Sequence, residues 1–234
     1  MPGVVLCLLG IFLAVHLLRW ALPAEEGAWL TAALAFIPGR LGGFAAELPG
    51  GQVAVVTAFA THLFVHGDIT HLVINSAWLL AFGSPVARRT DPLRFLAFFV
   101  VTGIAGALFY LVVNGAVLIL VVGASGAISG LMGAAFRFLF VGIANAAGGH
   151  FDMHGAPLMR LSATLRDRRV VTAVAGWTLL NVLLAWGAAG LTEAAGIAWE
   201  AHLGGFFAGL LLYGFFEPPP IVDDDEHNDA APAA

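Results

Sequence analysis

Long apolar segments separated by short polar or turn-rich connections run through almost the whole chain. An apolar helix of about 20 residues crosses a bilayer and satisfies its own backbone hydrogen bonds within the lipid. Six segments approach that length, at about residues 4–22, 61–87, 93–113, 125–141, 170–189 and 198–216. The pattern therefore predicts an all-α membrane protein, folded as a bundle of six transmembrane helices.

Two connections contain apolar residues that are too few to form a further span. The connection at 23–56 is rich in glycine and proline, and its apolar stretches 29–37 and 44–48 are expected to lie at the membrane interface. The stretch 116–122 is apolar and leads directly into Ser125. Irregular backbone at membrane depth is tolerated where protein buries it or water reaches it, so this stretch indicates a cavity near Ser125.

Composition agrees with a membrane-embedded chain. Hydrophobic residues make up 60% of the 234 residues and charged residues 11%, and the mean hydropathy is +0.92. Soluble globular proteins contain about 25% charged residues, so this composition excludes an ordinary water-soluble domain. The single cysteine, Cys7, excludes a disulfide framework.

All ten basic side chains are arginines, and they are unevenly distributed. Two of them, Arg19 and Arg40, lie on one predicted side of the membrane. The others lie at or within the connections that follow the second and fourth spans: Arg88, Arg89, Arg94, Arg137, Arg160, Arg166, Arg168 and Arg169. Loops rich in arginine remain in the cytoplasm, so the pattern predicts that these connections and both termini are cytoplasmic.

The two ends of the chain differ in character. Residues 1–3 are too short and uncharged for the basic region of a signal peptide, so we expect the first apolar segment to remain as a span. A Glu-Pro-Pro-Pro sequence at 217–220 ends the last helix, and acidic residues follow it. We therefore predict a membrane domain at 1–216 and a disordered acidic cytoplasmic tail at 217–234.

The unusual polar residues of spans two, four and six lie near the start of each span. They are His66, His71 and Asn75 on the second, Ser125 on the fourth and His202 on the sixth. Because these three spans run in the same direction, from outside to inside, their starts share one depth near the outer face. Polar groups inside a membrane usually face a bundle interior or a wet cavity, so we expect these side chains to converge.

The residue types at this depth suggest acyl-transfer chemistry. A serine at a helix start serves either as a cap or as a nucleophile, and a serine nucleophile needs a base within hydrogen-bonding reach. His202 is the candidate base, and no carboxylate is obviously placed to orient it, which favours a dyad over a triad. Free N–H groups at the helix start, with Asn75 and His71, could stabilise an oxyanion.

Two short motifs resemble those of the rhomboid family of intramembrane serine proteases. Residues 123–126, Gly-Ala-Ser-Gly, match the family's GxSG motif, and residues 201–205, Ala-His-Leu-Gly-Gly, match its AHxxG motif. The resemblance implies that Ser125 is the nucleophile and that His202 is the base. It extends over about residues 1–216.

A third motif on the second span completes the resemblance. His66, His71 and Asn75 match the family's HxxxxHxxxN pattern, which implies that His71 and Asn75 serve the oxyanion hole. We expect the backbone of Ser125 and Gly123 to contribute to the same hole. The predicted structural supports are His66, Gly126 and Gly205.

One position departs from the family pattern. Many members have Trp-Arg shortly before the second helix, whereas Thr57-Ala58 stand at that place here. The missing pair is expected to alter the geometry of the outer connection more than the chemistry of the site.

Two other functions compete with proteolysis. A non-catalytic rhomboid-like protein that binds membrane clients usually lacks the serine or the histidine, and both are present here. A small transporter or channel would continue the polar path through the inner halves of the spans, which are almost wholly apolar.

The chain offers little support for a metal site. His150, Asp152 and His154 lie in a glycine-rich connection without a fuller ligand set, which favours an ordinary solvated loop. A His-Glu-x-x-His sequence is absent, which argues against a membrane metalloprotease. We expect neither a metal nor another cofactor.

The sequence thus predicts a serine endopeptidase that cleaves in or near the outer end of a substrate's transmembrane helix. Its expected partners are single-span or multi-span membrane proteins and the lipid bilayer, with no nucleic acid, and the oligomeric state is left open. The expected location is the plasma (inner) membrane of a prokaryote, as a multi-pass protein with its active site toward the extracytoplasmic side.

Overall fold

The part of the chain that the structure describes folds mostly into helices. The structure, a computed structural model, describes residues 1–146, 156–191 and 198–218. The α-helices of these residues are, in chain order, α1 (Gly3–Ala21), α2 (Ala24–Leu34), α3 (Gly51–Thr61), α4 (Ile69–Trp78), α5 (Ser84–Ala87), α6 (Pro92–Asn114), α7 (Ser125–Ala146), α8 (Leu161–Thr164), α9 (Arg168–Leu191) and α10 (Trp199–Leu212).

Long apolar helices dominate the described part of the chain. Four of its helical stretches are long and apolar enough to cross a membrane: Gly3–Ala21, Ile69–Ala87, Pro92–Asn114 and Ser125–Asn145. The predicted all-α, multi-pass membrane architecture is therefore confirmed, while the count of six spans stays a prediction. α10, with 14 residues, is about 21 Å long and is shorter than a bilayer core of about 30 Å.

The centre of the bundle is α7, which packs against α6 and α10. Within its apolar stretch, 72% of the residues are buried inside the protein, compared with 17% for α1. Leu131 and Phe138 of α7 pack in the main hydrophobic core with Phe98 of α6 and Tyr213 beyond α10. The helix that begins at Ser125 is thus surrounded by protein rather than lipid.

The second span begins later than the sequence pattern predicts. Apolar character continues from residue 61, but a 3₁₀ turn at His62–Phe64 and extended backbone interrupt the helix, which restarts at Ile69. Asp68 caps this new start, since its carboxylate accepts a hydrogen bond from the backbone N–H of His71 at 2.8 Å. The helix then continues to Ala87 through a π-helical turn at Leu79–Gly83.

Arg40 holds the connection between α1 and α4 together. This side chain is 3% exposed, and its guanidinium donates hydrogen bonds to three backbone carbonyl groups, those of Ala32, Ala35 and Pro49. Thr57, at the position where the Trp-Arg pair is missing, lies within α3. The buried Arg40 therefore holds this connection together, although its position in the sequence differs from that of the missing Trp-Arg pair.

Several predicted features fall on other parts of the chain. The loop with His150, Asp152 and His154, residues 192–197 of the connection between the predicted fifth and sixth spans, and the tail beyond residue 218 lie outside the described residues. α7 extends to Ala146, five residues past the predicted end of the fourth span.

At the start of α9, a hydrogen bond from Arg169 lowers the pKa of Asp167 to about 2.

Candidate active site

Ser125 and His202 meet where α7 and α10 begin. Ser125 is the first residue of α7, and its Oγ lies 2.8 Å from Nε2 of His202, in the first turn of α10. Both residues are partly exposed rather than fully buried. A hydroxyl and an imidazole nitrogen at this distance form a hydrogen bond of the length needed for proton transfer.

Glycines allow the two helices to approach this closely. A Cβ atom built on Gly205 would overlap the carbonyl oxygen of Gly126, and one built on Gly209 would overlap that of Gly130. The helices therefore touch backbone to backbone about one and two turns after His202 on α10, and within about one and a half turns of Ser125 on α7. Any larger residue at these points would move the serine and the histidine apart.

Gly123, in the segment before α7, leaves room for the ring of His71. Its φ is +115°, and an added Cβ would lie 2.6 Å from Nε2 of that imidazole. The backbone N–H of Gly123 donates to the carbonyl of His62 at 2.9 Å. Gly123 therefore offers conformation and space at the site, while its amide hydrogen is already engaged.

Asn75 lies one turn after His71 on α4. Its side chain is 3% exposed, and its Nδ2 donates to the carbonyl of His71 at 2.9 Å. An amide nitrogen has two hydrogens, so this bond uses only one of them. The second remains for another acceptor.

His66 braces the segment in front of α4. Its ring is completely buried, with its centroid 4.9 Å from that of Phe12 and 5.2 Å from that of His71. Its backbone carbonyl accepts a hydrogen bond from the guanidinium of Arg19. These contacts join α1 to the segment that positions His71.

Asn181 on α9 also reaches the site, although sequence reasoning did not single it out. Its Oδ1 lies 2.9 Å from Nδ1 of His202, on the opposite side of the imidazole from Ser125. Asn181 belongs to none of the three motifs. The feature of the sequence that could have drawn attention to Asn181 is its polar side chain within a mostly apolar helical stretch.

Metal ligands are not assembled in the part of the chain that the structure covers. No group of three or more His, Cys, Asp or Glu side chains is placed to hold a metal ion there. The polar residues around Ser125 instead form a hydrogen-bonded chain from hydroxyl to imidazole to amide.

Comparison with known proteins assigns the chain to a family. A family model described as the Rhomboid domain matches residues 53–218, more than half of the 234 residues. A comparison with curated proteins gave no match. The matched region contains the three motifs and the helices that bring Ser125 and His202 together, and the chain belongs to the rhomboid family.

Proposed function

We propose that this rhomboid-family protein is an intramembrane serine endopeptidase that hydrolyses peptide bonds in or near the outer end of substrate transmembrane helices. The observation that supports the proposal most directly is the 2.8 Å distance between Ser125 Oγ and His202 Nε2. The two residues are 77 positions apart in the chain and come from different helices. The glycines at the contact between these helices allow their backbones to approach closely.

The reaction proceeds in two halves. Oγ of Ser125 attacks the scissile carbonyl carbon while Nε2 of His202 takes the hydroxyl proton, which produces a tetrahedral oxyanion. Collapse of this intermediate breaks the C–N bond, and Nε2 returns its proton to the leaving amine. Water then attacks the acyl-enzyme while Nε2 takes one of its protons, which produces a second tetrahedral intermediate. Its collapse breaks the bond between the acyl carbon and Oγ, releases the acid, and Nε2 returns the proton to Oγ of Ser125.

The oxyanion is stabilised by donors at the start of α7 and on α4. As the first residue of its helix, Ser125 has a backbone N–H without an intrahelical acceptor. The second Nδ2 hydrogen of Asn75 and an N–H of His71 supply the side-chain donors. Gly123 serves the hole by its positive φ and by the room it leaves for His71, since its own amide binds His62.

The substrate enters as an unwound segment. A helical substrate hides its carbonyl groups in internal hydrogen bonds, so small or helix-breaking residues near the scissile bond favour cleavage. Membrane-protein substrates with such residues near their outer ends are the proposed partners. No cofactor takes part in these steps.

We further propose six spans with both termini in the cytoplasm of a plasma (inner) membrane. α9 and α10 provide the fifth and sixth spans, and the arginine-rich connections face the cytoplasm. The start of α7 and of α10 then lies toward the outer face. Residues 1–216 form the membrane domain, with 217–234 as its tail.

The test is cleavage of a single-span substrate in liposomes. We expect the protein to cut a substrate with Gly and Ala near its outer end and to leave a poly-Leu helix intact. Ser125→Ala and His202→Ala each abolish the cut, whereas Ser84→Ala, far from the site on α5, retains it. A fluorophosphonate probe labels the wild type at Ser125 and does not label Ser125→Ala.

Other outcomes would change the assignment. Cleavage that persists in Ser125→Ala would indicate another nucleophile. A folded wild type that binds but never cleaves several such substrates would favour the non-catalytic, client-binding function.

A further inference from the structure

We propose that Asn181 is a positioning residue for His202, so that the catalytic group is a Ser–His–Asn triad distributed over three helices. This inference rests on the proposed proteolytic function. Its basis is the hydrogen bond between Asn181 Oδ1 and His202 Nδ1, at 2.9 Å. It replaces the expected dyad, which rested on the lack of an obviously placed carboxylate, with a triad whose third member is an amide.

The orientation of the Asn181 amide follows from its second contact. Nδ2 of Asn181 donates to the carbonyl of Trp177, one turn earlier on α9, at 2.9 Å. A carbonyl can only accept, so the nitrogen of the amide faces Trp177 and the oxygen faces His202. Asn181 is 7% exposed, and both ends of its amide are therefore used inside the protein.

The orientation of this amide determines which imidazole nitrogen carries the proton. Because Oδ1 of Asn181 only accepts, Nδ1 of a neutral His202 must be the protonated nitrogen. Nε2 then presents a lone pair to Ser125 Oγ, 2.8 Å away. This is the only neutral tautomer in which His202 can remove the serine proton, and Asn181 selects it before a substrate arrives.

An amide suits this position within a membrane. When His202 accepts the serine proton, the Oδ1 dipole of Asn181 stabilises the imidazolium through the Nδ1–H bond. A carboxylate would do so more strongly, but an unpaired charge among apolar helices is costly to bury. An uncharged acceptor supplies orientation at a smaller desolvation cost.

A second pair of residues fixes the distance between α9 and α10. The ring of Trp177 stacks on that of Phe206, with centroids 4.4 Å apart and planes inclined by 23°. Trp177 and Asn181 are four residues apart on α9, and Phe206 and His202 are four apart on α10. The two contacts therefore lie one helical turn apart along the antiparallel helices α9 and α10. The apolar contact fixes the alignment of the helices, and with it the position of the polar contact.

The experiment compares steady-state cleavage by Asn181→Leu, Asn181→Asp and the wild type. Asn181→Leu keeps the branched shape, with a larger volume, and removes the acceptor, and we expect kcat to fall about 10- to 100-fold, part of the roughly 10²–10⁴ that acid–base catalysis contributes, with KM within about 2-fold. Asn181→Asp restores an acceptor and recovers most of kcat. Thr178→Val is the matched control, since the Thr178 hydroxyl has no hydrogen-bond partner among the described residues, and it retains wild-type kcat.

A spectroscopic measurement keeps the test independent of turnover. With ¹⁵N-labelled histidine, the wild type should show His202 as a single Nδ1–H tautomer, and Asn181→Leu should show a mixture of both tautomers. Unchanged kcat in folded Asn181→Leu, a loss that Asp does not restore, or an unchanged tautomer would each overturn the inference. A failure of the proposed function would give a different result. Cleavage by Ser125→Ala would then equal cleavage by the wild type, while the tautomer of His202 would still differ between the wild type and Asn181→Leu.

Discussion

At the scale of single residues, Gly123 meets two steric conditions at once. Its φ of +115° lies in a region that side chains rarely adopt, and the space a Cβ would need is filled by the His71 imidazole. Glycine is the only residue that satisfies both conditions. The Gly-Ala-Ser-Gly motif at residues 123–126 thus positions His71 as well as Ser125.

Replacing Gly123 with alanine violates both conditions at once. We expect Gly123→Ala to displace the His71 ring and to lower kcat by about 10²–10³-fold, the usual effect of losing one oxyanion donor. The measurement is steady-state cleavage in liposomes, with the fold monitored by thermal unfolding.

Gly115→Ala is the matched control for backbone strain. Gly115 also has a positive φ, of +70°, but an added Cβ there meets nothing within 4 Å. We expect this variant to lose about 1–3 kcal/mol of stability and to keep its kcat. Equal losses of kcat in both variants would show that strain, and not His71, explains the effect.

Single residues were predictable from sequence only where they belong to a spaced motif. Ser125 and His202 stand in short patterns with neighbouring glycines, so their types and spacing indicate their chemistry. Asn181 has no such pattern, and its meaning depends on which face of α9 packs on α10. That packing is set by the Trp177–Phe206 stack, a contact between helices that spacing along the chain does not encode.

At the scale of helices, the α7–α10 contact depends on backbone atoms. We expect Gly209→Ala to push the helices apart, because the new Cβ would overlap the Gly130 carbonyl, and backbone cannot move aside as a side chain can. Stability should fall by at least about 1–3 kcal/mol, with a parallel loss of cleavage. Thermal unfolding in detergent measures the first effect.

A glycine elsewhere supplies the comparison. Gly176 lies in α9, and a Cβ there meets nothing within 4 Å. Gly176→Ala should leave stability unchanged or raise it by up to about 1 kcal/mol, through helix propensity alone. If Gly209→Ala behaved in the same way, the close contact would not support the bundle.

Hydropathy predicted the presence of helices better than their boundaries. The family assignment and the apolar helices are confirmed, but the second span begins at Ile69 instead of residue 61. The segment around Val65 is apolar, so hydropathy continues across a break in the backbone. The break is set by the Asp68 cap and by contacts of His66 with α1, which are local geometry and tertiary packing rather than composition.

At the scale of the whole molecule, one ion pair joins two distant ends of helices. Arg89, beyond α5, lies 2.5 Å from the carboxylate of Glu217, beyond α10, and its guanidinium also covers the ring of Phe138 at 4.4 Å. The side chains of Arg89 and Glu217 are only 8% and 12% exposed, respectively. This pair closes the side of the bundle opposite the Ser125–His202 site.

Removing the arginine should be costly because the carboxylate stays buried. We expect Arg89→Met to lower the free energy of unfolding by about 3–5 kcal/mol, measured by denaturant titration in detergent. Arg94→Met removes an exposed pair with Asp91, whose partners are 47% and 51% exposed, and should cost no more than about 1 kcal/mol. A similar small loss in both variants would mean that water or the nearby Arg137 compensates the charge of Glu217.

The glycine contact between α7 and α10 also has a thermodynamic consequence. Glycine has no side-chain rotamers, so two glycine faces lose no side-chain entropy when they dock. Their backbone entropy is lost earlier, when each helix forms. The glycine part of the contact that brings Ser125 to His202 therefore freezes little internal motion, and the reacting pair is already aligned before any substrate contributes binding energy.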